Sequence, residues 1–105
     1  SIAPPYVKVE VKTCHGGNGF LIPISSHAYQ SASRAMTEVY GTEPVPSRGG
    51  GSIPILADLQ HILGIDPLLM GFGLERDTIH SPNESYLLSQ FFAGIRSIAL
   101  FYRYY

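Results

Sequence analysis

Pro67-Leu68-Leu69-Met70-Gly71-Phe72-Gly73-Leu74 is the stretch on which the fold class turns. It is a brief apolar run, bounded by Pro67 and interrupted by Gly71 and Gly73, too short for an ordinary helix and suited to a fully buried strand. On either side the periodicity becomes helical. Upstream, Ile55, Leu56, Leu59, Ile62 and Leu63 recur at helical spacing. Gly64 stands where a left-handed C-terminal residue belongs, and Pro54 is tolerated in the first turn. Downstream, Leu87, Leu88, Phe91, Phe92, Ile95, Ile98, Ala99 and Tyr102 form one broad stripe on a long helix running from about Glu84 to Tyr104. Helix, strand, helix is the rhythm of an α/β layer, yet one central strand cannot make a sheet, so other strands must be supplied from elsewhere.

Working outward, Ser25 or Ser26 can cap a helix in which Ala28, Ala32, Ala35, Met36 and Val39 recur at helical spacing, and Gly41 ends it. The segment from Thr42 to Gly51, with its prolines and consecutive glycines, must be loop, and Glu75 to Asn83 reads as polar loop. Further back, Val7, Val9 and Val11 alternate with Lys8, Glu10 and Lys12, the period-2 signature of a half-buried strand from Tyr6 to Val11. Cys14-His15-Gly16-Gly17-Asn18-Gly19 then loosens the chain, which places a linker there.

The 105 residues carry 7 Lys and Arg against 8 Asp and Glu, a formal charge of −1, and 45% apolar residues. Length and composition fit one domain with one modest core. Scattered basic residues leave no electrostatic footprint for nucleic acid or an anionic membrane. The single cysteine, Cys14, excludes an internal disulfide and a thiolate zinc finger, reads as inert, and fits a reducing, cytoplasmic compartment. The opening residues resemble neither a leader nor a spanning segment, and read as the start of a piece of something longer.

Two stretches are candidates for chemistry, each placed just before a helix. In Arg48-Gly49-Gly50-Gly51-Ser52-Ile53-Pro54 the glycines allow close backbone approach, and the free N–H groups of the helix start with the Ser52 hydroxyl suit a carboxylate or phosphate. The same residues also read as a tight turn, a plain N-cap and a surface salt bridge. In Ile79-His80-Ser81-Pro82-Asn83-Glu84, His80 follows the apolar run at the end of the strand where α/β sheets place ligands. Its imidazole can ligate a metal, with Asp77, Asn83 or Glu84 orienting it, or can simply be solvated. His15, His27 and His61 read as structural or solvated. The aromatics of the last helix read as core or partner-facing.

Taken in order, the strand Val7 to Val11, the helix ending at Gly41, Pro46 to Pro54, Leu69-Met70-Gly71-Phe72-Gly73 and Ile79 to Glu84 resemble the aminoacylase, carnosinase and carboxypeptidase-G family of zinc metallopeptidases. That family also holds the acetylornithine and succinyl-diaminopimelate deacylases. The resemblance covers nearly the whole chain and is to the family's C-terminal end, most like its dipeptidase branch. It implies a partial three-layer zinc-peptidase-like catalytic domain over residues 23–105, with helices around a strand of an incomplete sheet. Residues 1–22 would be the last strand and linker of a lid domain. Such lids often mediate dimerisation in this family, so a homo-oligomer is an expected assembly.

Residue by residue, the resemblance implies that His80 ligates one zinc of a two-zinc site. It implies that Ser52, with Gly50 and Gly51, lies at the substrate end of the cleft, and that Arg48 and Glu84 support it. Gly49 departs from many relatives, which carry an acidic or polar residue there. The family's H-x-D pair, bridging aspartate and adjacent glutamates have no counterpart in this sequence. The function implied is therefore part of a zinc-dependent dipeptidase or N-acyl amino acid hydrolase, inactive alone and binding little zinc alone. Its substrate would be a dipeptide or N-acyl amino acid. Two rivals follow from the residues: a self-associating interaction module docking through the broad apolar helix stripe, and a small anion-binding domain using Arg48 to Ser52.

Overall fold

The computed structural model describes residues 4–12, 18–49 and 53–105. Three helices stand in order: α1 (His27–Tyr40), α2 (Ile55–Leu63) and α3 (Leu88–Tyr104), with a 3-10 turn at Glu75–Asp77 before α3. The start of α1 is fixed by Ser26, whose hydroxyl accepts the Tyr29 amide at 3.2 Å and so satisfies one otherwise orphaned donor. Gly41 and Gly64 end α1 and α2 at φ 71° and 65°, a left-handed conformation that costs a Cβ-bearing residue energy.

Helix α1 packs on α3 and the two run antiparallel. At one end the Ser31 hydroxyl donates to the Tyr104 carbonyl at 3.2 Å; at the other, the Tyr40 hydroxyl donates to Gln90 Oε1 at 3.1 Å. The residues buried are small: Ser31, Ala32, Ser33 and Ala35 on α1, Gly94 and Ser97 on α3. Such side chains let helix backbones approach closely. Burial pushes the Tyr40 phenol above its ordinary pKa, with Tyr86 adding to the shift. At the C-terminal end of α3 the Tyr104 hydroxyl bonds Glu38, and the Arg34 guanidinium lies 4.0 Å from the centre of the Tyr104 ring.

The structure departs from expectation in its core and its strands. The only buried apolar residues among those described are Ala32, Ala35 and Leu56, so the single modest core expected from length has not formed. The large residues of the α3 stripe mostly face solvent; Leu88, Phe92, Ile95 and Tyr102 are all at least half exposed. Residues 6–11 and 67–74 form no strand, because no neighbouring strand among the described residues offers them a ladder. The 67–74 run instead lies across α3, and its Phe72 ring sits so close to Gly94 that a Cβ there would meet ring carbon at 3.3 Å. Helix α3 begins at Leu88 rather than near Glu84, since the Ser85 amide bonds back to the Asp77 carbonyl and the chain is extended at Leu87.

A folded monomer of 11.5 kDa exposes about 5,800 Å², whereas this chain exposes 8801 Å². Its radius of gyration is 18.4 Å, against about 13 Å for a compact domain of this length. The fold is an antiparallel helix pair with attached segments whose apolar faces are uncovered.

Candidate functional site

The loop from Leu74 to Ser85 carries the motif containing His80, and the hydrogen bonds that tie its two ends run through one residue. Asp77 is 2% exposed. Its carboxylate Oδ2 accepts the Leu74 amide at 2.8 Å, its own amide donates back to the Leu74 carbonyl at 3.0 Å, and its carbonyl accepts the Ser85 amide at 3.0 Å. Within that frame Ser81 N donates to Thr78 O at 3.0 Å, Glu84 N to Ser81 O at 3.2 Å, and the Thr78 hydroxyl to Asn83 O at 3.3 Å. Gly73 fits here because an added Cβ would meet Ile79 Cδ1 at 3.3 Å and Asp77 Oδ2 at 3.8 Å.

This turn holds every non-glycine residue with positive φ among those described: Thr78 at 49°, His80 at 62° and Asn83 at 63°. Residues held in this region cost roughly 1–3 kcal/mol each and persist only where the surroundings over-determine them. His80 therefore occupies an enforced position, and its side chain is exposed. Asn83 and Glu84 are exposed as well; of the three residues able to orient the imidazole, only Asp77 is buried.

The glycine loop is described only in part. Arg48 and Gly49 are exposed, and Arg48 makes no ion pair among the described residues. Gly50, Gly51 and Ser52, the expected substrate-end residues, lie outside the described residues, as do Cys14 and His15. His61 is exposed, and the His27 ring lies 5.3 Å from the ring of Tyr105, in keeping with a structural or solvated reading of both.

A closed zinc site needs three or four ligands. Among the described residues no three His, Cys, Asp or Glu side chains come together, so those residues hold no complete centre. Two open surface depressions, of about 440 and 570 Å³, lie along α1 and its flanking loops; neither is lined by His80 or Arg48. No helix among the described residues is long and apolar enough to cross a membrane.

The His80 imidazole thus stands on an ordered turn, exposed and with no enclosing wall among the described residues. The chain belongs to the peptidase family described as Peptidase family M20/M25/M40, which it matches over residues 1–104. The resemblance drawn from its motifs is thereby borne out. The chain is 33% identical over 98 residues to the Cys-Gly metallodipeptidase DUG1 of Saccharomyces cerevisiae, and 32% identical over 98 residues to that of Candida albicans. In both cases the match covers 93% of this chain and 20% of the relative. It is 32% identical over 95 residues to the human Beta-Ala-His dipeptidase, covering 90% of this chain and 19% of that protein. The chain thus spans about a fifth of the length of these relatives, which are metallodipeptidases or dipeptidases by name. No solved structure matches it.

Proposed function

We propose that this chain is the C-terminal part of the catalytic domain of a zinc-dependent dipeptidase, and that it contributes one metal ligand, His80, and part of the site for the substrate's carboxylate. The observation that carries the reading is the family match across residues 1–104. The exposed area supports it from an independent direction, since a chain exposing roughly 3,000 Å² more than a self-contained protein of its mass is built to be covered.

In the complete protein, the uncovered face of α3 would lie on a sheet to which residues 67–74 contribute a strand, giving the α/β layering. Residues 1–22 would belong to the lid domain and residues 23–105 to the catalytic domain. Zinc, bound by His80 and by ligands from other parts of the protein, would polarise the scissile amide and activate water. On the family resemblance, Gly50, Gly51 and Ser52 would supply backbone N–H groups and a hydroxyl donor to the substrate's carboxylate. Arg48 and Glu84 support the rim. The activity is hydrolysis of a dipeptide or N-acyl amino acid, in the cytoplasm, by a homo-oligomer; the 105 residues alone are inactive because the general base lies elsewhere.

A self-associating module would show the same uncovered α3 stripe. The family match, and the fifth of its relatives' length that the chain spans, favour covering by the same polypeptide. The test is His80→Ala in the full-length parent. Zinc content should fall, and dipeptide hydrolysis should drop by about a thousand-fold, the effect of losing several kcal/mol of metal-derived stabilisation. Full zinc stoichiometry together with full turnover rejects the assignment.

A further inference from the structure

The three residues able to orient His80 are not equivalent. Asn83 and Glu84 face solvent, while Asp77 is 2% exposed and ties the loop at both ends, through its carboxylate to Leu74 and through its carbonyl to Ser85. Its second carboxylate oxygen, Oδ1, is buried and has no hydrogen-bond partner among the described residues. Leaving a buried charged acceptor unpaired is costly, and native structures rarely do so without a reason. The Leu74 amide accounts for Oδ2, so it is Oδ1 alone that calls for a partner.

Resting on the metallopeptidase reading above, we infer that Asp77 is the positioning residue of this site. Its Oδ2 and its backbone hold the left-handed turn at Thr78, His80 and Asn83, and so deliver the imidazole of His80 to one point. Its Oδ1 accepts a hydrogen bond from a donor in the part of the protein that closes over the turn. The ordering of the loop and the docking of the remainder of the protein thus meet on one carboxylate. Asp77 touches neither metal nor substrate; it acts through His80.

The experiment uses the full-length parent with Asp77→Asn, which keeps an amide oxygen for the Leu74 N–H but places a donor where Oδ1 accepts. Zinc affinity is read by competition with a chelator, beside the melting temperature and backbone hydrogen exchange of the metal-free protein. The expected result is zinc binding weakened by about 10- to 100-fold. Exchange at Leu74 and Ser85 should be faster, melting should shift by no more than a few degrees, and KM should be unchanged at saturating zinc. Asp77→Ser, which keeps a single acceptor, should show the same pattern and serves if the asparagine variant does not fold. Wild-type zinc affinity in either folded variant overturns the inference, and so does loss of the folded state in both, which would assign Asp77 to the fold at large. His80→Ala in parallel separates the two readings. If it loses zinc while the Asp77 variants do not, only the positioning role fails. If it too keeps wild-type zinc affinity, the ligand assignment fails with it.

Discussion

Helix α3 has two faces that were built for different neighbours. The face toward α1 carries Gln90, Gly94, Ser97, Phe101 and Tyr104; Gly94 and Ser97 are buried, and Gln90 and Tyr104 bond across to α1. The opposite face carries Leu88, Phe92, Ile95, Ala99 and Tyr102, all exposed. The outer face is the apolar one and the inner face, at its buried positions, is small and polar, the reverse of a surface helix that packs its apolar stripe on a core. The contrast separates the contacts these 105 residues complete among themselves from the face that, on the proposed reading, other parts of the protein would cover.

The sharpest way to break the comparison is to charge the outer face. Ile95→Asp in the full-length parent should destabilise folding by about 3–5 kcal/mol, the effect of an unpaired buried charge. In the 105-residue chain, where Ile95 is 50% exposed, the same change should stay within about 0.5 kcal/mol. Denaturant melts of both proteins measure the difference, and equal effects would mean that nothing covers this face.

The inner face is tested by Gly94→Val. A Cβ at Gly94 meets the Phe72 ring at 3.3 Å, so the larger side chain should displace the 67–74 run and cost about 1–3 kcal/mol in parent and chain alike. Stabilisation instead would show that Phe72 does not rest there.

The smallest effect concerns the end of the helix pair. The hydrogen bond to Glu38 raises the Tyr104 pKa above 10.0, with burial and the Glu38 charge adding and Arg34 and Arg103 opposing. Because the folded-state value is raised, this contribution is fully present below pH 10 and is lost as the pH rises through the folded-state value. Tyrosine absorbance against pH should therefore show late-titrating phenols, Tyr40 and Tyr104, of which Glu38→Gln brings only Tyr104 back toward the ordinary range.

Much of the local structure was legible in the sequence. Ser26, Gly41 and Gly64 punctuate the helices where the capping rules put them, because caps are decided by chemistry within one turn. What did not read through was tertiary. Large apolar residues marked a core-facing stripe on α3, yet the packed face is made by Gly94 and Ser97, which carry no hydrophobic signal. Residues 6–11 and 67–74 have strand patterns without a ladder, since a period-2 pattern does not say which strand would pair with it and none stands among the described residues.

At the candidate site the motif singles out His80, and the sequence offers Asp77, Asn83 and Glu84 as three equal partners for it. Only burial and hydrogen bonding separate Asp77, and the one sequence hint is an acidic residue placed between an apolar run and the motif. Gly50, Gly51 and Ser52 lie outside the described residues, so their role rests on the motif.

The most direct measurement is a calorimetric zinc titration of the 105-residue chain beside the full-length parent. A solitary imidazole on an open turn predicts no saturable zinc binding by the chain and tight binding by the parent. A tight, stoichiometric site in the chain alone would contradict the account, because its ligands would then all lie within these residues.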